Sequence, residues 1–123
     1  MFNDLFIDWT SDIVLVEGVF DALRVGTNAV PLLGSTLREE SKLFQKIVRN
    51  DTPVYLALDP DAEKKSLEII KKFLTYDVEL YKIQVYPYSD VGEMTKEQFI
   101  DLKNKAKRMN IDEYMISRTH NIR

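Results

Sequence analysis

Six carboxylates in this sequence stand where they could do chemistry together: Glu17, Asp21, Asp59, Asp61, Asp90 and Glu93. The apolar run Ile13-Val14-Leu15-Val16 leads directly into Glu17-Gly18, and Val54-Tyr55-Leu56-Ala57-Leu58 leads into Asp59-Pro60-Asp61. A third run, Val78 to Tyr86, is followed by Asp90 and Glu93, and Asp21 lies one helical turn beyond Glu17. Like charges gathered at one edge repel and raise one another's pKa unless a cation neutralises them. No Lys or Arg is interleaved at those positions. Oxygen ligands suit Mg²⁺ or Mn²⁺, which leave coordination positions open for phosphate. The chemistry is therefore a divalent metal that clamps a phosphate or polyphosphate, with a nearby Glu moving protons. Singly, each signal has a plainer meaning. Asp-x-Asp before a helix is commonly a cap plus a first-turn acid, and Glu-Gly after a strand a turn. Their shared placement at strand ends favours the site. Asp77, Glu79, Asp101, Asp112 and Glu113 lack that placement and read as solvated surface.

The elements that must position these acids alternate. Residues 13–16 form a β-branched run apolar on both faces, as a buried parallel strand would be. A short helix from Phe20 to Val25, closed by Gly26, follows it. Ala29 to Leu33 is a second strand with Pro31 near its end. Thr36-Leu37-Arg38-Glu39 has the form of a capping box for a second helix ending at Asn50. Val54–Leu58 is the third strand, and a third helix begins at Asp61 or Ala62 with the apolar stripe Leu67, Ile70, Phe73 and Leu74. Val78 to Tyr86 is the fourth strand, in which Val78 and Leu80 are out of step with Ile83 and Val85. Thr95-Lys96-Glu97-Gln98 is a second capping box, opening a helix through about Met109. The expectation is an α/β fold with a mainly parallel four-stranded sheet flanked by helices. Its domain spans 11–110, with 111–123 an aperiodic tail. The first ten residues carry Phe2, Leu5, Phe6, Ile7 and Trp9, apolar enough to pack on the sheet or to mark a cut from a larger chain.

With 123 residues, 45% of them hydrophobic, the chain is sized for one self-sufficient core. The absence of Cys and the single His120 exclude a Cys/His zinc module and a Cys nucleophile. No Gly-x-x-x-x-Gly-Lys-Ser/Thr loop is present, which argues against a P-loop NTPase. His120, in a polar stretch, reads as solvated. There is no membrane-length apolar segment and no signal peptide, so the expected setting is the cytoplasm. A net charge of −3 speaks against indiscriminate DNA coating. Basic residues do cluster, as Lys42, Lys46 and Arg49 and as Lys103, Lys105, Lys107 and Arg108. A solvated helix face explains them better than a phosphate track. Tyr86 and Tyr88 stand beside the acids, placed to stack a base or to cover the sheet edge.

Ile13-Val14-Leu15-Val16-Glu17-Gly18-Val19-Phe20-Asp21-Ala22 resembles the first motif of Toprim domains, and Leu58-Asp59-Pro60-Asp61-Ala62 resembles the family's Asp-x-Asp motif. With Leu33-Gly34-Ser35-Thr36 between them, the ordered set is most similar to the catalytic core of bacterial and phage-type DNA primases, over about residues 11 to 100. The resemblance implies a Toprim, Rossmann-like fold and divalent-metal-dependent nucleotidyl transfer that makes RNA primers on a DNA template. By it, Glu17 would transfer a proton or ligate metal, and Asp59 and Asp61 would hold Mg²⁺ or Mn²⁺. Asp21 and Asp90 would be auxiliary acids, while Gly18 and Gly34 would permit close backbone approach by phosphate. The partners implied are nucleoside triphosphates and a single-stranded DNA template, with a replicative helicase as a further candidate and no membrane; a viral protein would act in the host cytoplasm. One departure is Gly92, which stands where primases often carry a second Asp. Another is the missing zinc module and basic subdomain, which point to an excised catalytic domain, only part of the complete enzyme, or a stand-alone protein. The alternatives are a Toprim nuclease using the same acids and a non-catalytic metal- or partner-binding module.

Overall fold

Ile13–Val16 is buried at all four positions, because helices cover the strand from both sides. The computed structural model of the chain describes residues 6–121, with the side chains of His120 and Asn121 outside the description. Its strands are β1 (Ile13–Val16), β2 (Ala29–Pro31), β3 (Val54–Ala57), β4 (Leu80–Lys82) and β5 (Lys107–Arg108), in the order β2-β1-β3-β4-β5. The first four run parallel and β5 is antiparallel to β4. The helices are α1 (Val19–Val25), α2 (Lys42–Asn50), α3 (Glu63–Thr75), α4 (Lys96–Asn104) and α5 (Ile111–Asn121). This mostly parallel α/β sheet flanked by helices is consistent with a Toprim or Rossmann-like fold, with five strands where four were expected.

Strand alternation divides the core in two. Ile13, Leu15, Val54, Leu56 and Leu80 join Phe44 and Ile47 of α2 and Ile69, Ile70 and Phe73 of α3 on one face. Phe44 and Phe73 stack there with ring centroids 4.9 Å apart. Val14, Val16 and Ala57 join Ala22 of α1 and Phe99 of α4 on the other. The fourth strand's two apolar pairs are out of step because they serve different faces of the sheet. Val78 and Leu80 belong to the first face and Ile83 and Val85 to the second. Regular pairing stops at Lys82, although the amide of Ile83 still donates to Leu56 O at 2.9 Å.

Three expectations for the helices and tail need correction. The second helix starts at Lys42, not at Thr36: Leu37 is buried with a left-handed φ of 57°, which a helix cannot accommodate. The cap is Ser41, whose hydroxyl accepts from the Phe44 amide. The fourth helix does use the Thr95–Gln98 capping box, with bonds of 3.1 and 2.9 Å, but ends at Asn104, after which the chain turns back as β5. Residues 111–121 of the supposed tail are helix α5, packed against α3, with Tyr114 buried in the first core. Among the N-terminal apolar residues, Ile7 and Trp9 pack against the same core and Phe6 is exposed, while Phe2 and Leu5 lie outside the described residues. No described helix is long and apolar enough to cross a membrane.

Candidate active site

The connection through α1 carries the chain from β1 to β2 on one side, and the connection through α2 returns it to β3 on the other side of β1. The carboxyl ends of β1 and β3 therefore diverge at a switch point, where open α/β sheets leave a crevice. Val16 and Ala57 are register partners at those ends. Glu17 comes next on one strand, and Leu58-Asp59 on the other, so the topology brings together residues 42 positions apart (59 − 17).

Each acid has a different local assignment. Asp21, buried on the first turn of α1, accepts from the Gly18 amide at 3.0 Å and from the Gly92 amide at 2.8 Å. It thereby ties the β1–α1 turn to the loop after β4. Asp90 caps the short 3₁₀ turn Val91–Glu93 by accepting from the Glu93 amide at 3.0 Å. Asp61 lies in the 3₁₀ turn Pro60–Ala62, and Asp59 precedes that turn without capping it. Oδ1 of Asp59 is buried and has no hydrogen-bond partner. Burial, reinforced by the charges of Asp21, Glu17, Asp90 and Asp61, pushes the Asp59 carboxyl up to about 6. The capping explanation accounts for Asp90 and fails for Asp59.

One residue escaped the sequence reading, and another takes on a meaning the sequence did not show. Lys65, on the first turn of α3, donates to both oxygens of Glu17, at 2.9 and 3.3 Å. A cation is thus interleaved with the acids after all; 48 residues separate the pair in sequence, so no local spacing signals it. The other is Gly92. A Cβ there would meet Asp21 Oδ1 at 3.2 Å and Asp90 Oδ1 at 3.3 Å, so the position where a second Asp was anticipated is one where any side chain would crowd two carboxylates. Gly18 does not behave this way: its φ is extended and a Cβ would sit at an ordinary 3.6 Å from Asp21. Gly34 has a φ of 81° and open space around it, the signature of a turn glycine.

The donor chemistry fits a hard divalent cation, since an orphaned buried carboxylate oxygen lies in a field of four further acids. The arrangement is not a closed cage. Among the described residues no group of three or more His, Cys, Asp or Glu side chains is placed to hold a metal ion. A cavity of about 640 Å³ opens beside the acids, lined by Gly18, Phe20, Asp21, Arg24, Asp90 and Gly92 among others. Of the cluster Lys103, Lys105, Lys107 and Arg108, three are engaged in ion pairs, Lys103 with Asp12, Lys105 with Asp101 and Lys107 with Glu113. Tyr86 is exposed, and Tyr88 packs against the second core.

Fold and site together define a doubly wound α/β domain with a carboxylate cluster at its switch point. A crystal structure of the Aquifex aeolicus primase, comprising its zinc-binding and RNA polymerase domains, is similar to this chain, with a TM-score of 0.67 and 25% sequence identity. The match covers 85% of this chain and 30% of the primase chain. No family model matches the chain, and comparison with curated proteins finds no match. The likeness supports a primase-like fold.

Proposed function

We propose that this chain is the Toprim catalytic core of a DNA primase, of the phage type by the wording of its motifs, joining ribonucleotides on a single-stranded DNA template. The observation that carries the reading is Asp59: a partly buried carboxylate at the switch point, with one oxygen lacking any partner and four acids around it. Asp59 and Asp61 would hold Mg²⁺ or Mn²⁺, with Glu17 as a further ligand or as the group that takes a proton from the attacking hydroxyl. The bound ion would supply neutralising charge to the nucleotide's phosphates. Asp21 keeps the Gly18 and Gly92 amides fixed at the rim, and Asp90 holds the adjoining turn in shape. Both would act as auxiliary acids through the field they add. The chain spans about 30% of the primase it resembles.

The deciding experiment is calorimetric titration of the chain and of Asp59→Asn with Mn²⁺ at one fixed salt concentration. Saturable binding in the first and none in the second is the expected result. Absence of binding in both refutes the metal site. Where binding is found, a template with ribonucleotides should give short oligonucleotides; nicking of plasmid without ribonucleotides would assign the same acids to a nuclease.

A further inference from the structure

The acids at the switch point are not equally available. Asp21 is committed to two backbone amides, Asp90 caps a turn, and Asp59 keeps one orphaned oxygen. Glu17 alone among these four is held by a side-chain cation, and Lys65 engages both of its oxygens. The pair is mostly withdrawn from water, with side-chain exposures of 17% for Lys65 and 24% for Glu17. A carboxylate whose two oxygens both face an ammonium group already has its charge largely neutralised, and a metal must compete with that ammonium for it. Lysine is suited to such a contact because its compact charge rides on a flexible stem that can swing away without disturbing the helix that carries it.

From this geometry we infer that Lys65 is the resident counter-cation of the acidic site, neutralising Glu17 until a divalent ion displaces it. Lys65 is a positioning residue in this scheme, acting through Glu17, and the inference rests on the metal site proposed above. Ion and ammonium compete for one carboxylate, so the lysine weakens metal binding while it stabilises the metal-free fold. Partly exposed pairs of this kind are modest in strength, and removing the competitor should tighten binding roughly three- to fivefold.

The test is Mn²⁺ titration of the chain, Lys65→Met and Lys65→Arg, with thermal unfolding of each in chelator and in saturating Mn²⁺. Lys65→Met is expected to bind Mn²⁺ about three- to fivefold tighter than the unaltered chain. It should also melt lower in chelator and gain more from added Mn²⁺. Lys65→Arg keeps the charge, and its guanidinium can hold both Glu17 oxygens, so it should bind Mn²⁺ no tighter than the unaltered chain. Equal or weaker binding by Lys65→Met, or tightening by Lys65→Arg of the same size, overturns the counter-cation role and leaves the metal site standing. No binding by any of the three overturns the metal site and this inference with it.

Discussion

Asp59→Asn should make the metal-free protein more stable at neutral pH, and the size of the gain follows from the site. The Asp59 carboxyl is raised from 3.8 to about 6. An acid whose folded-state pKa lies above its unfolded value binds its proton more tightly in the fold, so ionisation opposes folding. The penalty is small below about pH 4, grows as pH rises through the window to about 6, and is complete above it. Two units correspond to a ceiling of about 3 kcal/mol. Water reaches part of this side chain, and screening reduces the figure to ~1–2 kcal/mol. For a chain of this size that is a rise in Tm of about 4–8 °C at pH 7.5. At pH 4.5 the gain should shrink to roughly a third. Thermal unfolding of both proteins in chelator at the two pH values measures it. A lower Tm for Asp59→Asn at pH 7.5, or a gain equal at both pH values, would refute the electrostatic account.

Other expectations concern the frame around that carboxylate. Gly92→Ala forces a Cβ against Asp21 and Asp90 and should destabilise by about 1 kcal/mol, read as a lower midpoint in urea; an unchanged midpoint would show that the carboxylates yield freely. Asp21→Ala strands the Gly18 and Gly92 amides and should lower stability by about 1–3 kcal/mol, while bringing Asp59 closer to its ordinary acidity, followed by carboxyl NMR titration. Phe73→Ala opens a hole opposite Phe44 and should lower stability by about 3–5 kcal/mol in the same urea assay, or else the two-ring stack is not central to the core.

What could be read from the sequence follows from how local each signal is. β1 and β3 were legible because strands buried on both faces leave unbroken apolar runs. Glu17 and Asp59 could be placed from those runs alone. Thr36 misled because a hydroxyl and a Glu at the right spacing say nothing of Leu37, whose burial and left-handed backbone hold the chain away from helix until Ser41. β5 has no apolar signature, since Lys107 and Arg108 are both exposed. α5 hides its role because Tyr114 is its one buried apolar side chain among those described. The Lys65–Glu17 pair and the crowding at Gly92 join segments far apart in sequence, and tertiary packing alone creates them.

The two outer strands of the sheet also bear on how this domain can meet other molecules. β2 is three residues long and ends in Pro31, which has no N–H to offer, and β5 is two residues long and entirely cationic. Short, proline-bearing or charged edges resist the addition of a further strand. Among the described residues, strand addition by a docking protein and edge-to-edge aggregation are therefore disfavoured at both margins of the sheet. That favours recognition through side chains at the loops and helix faces, where single substitutions can tune one contact without unzipping the sheet.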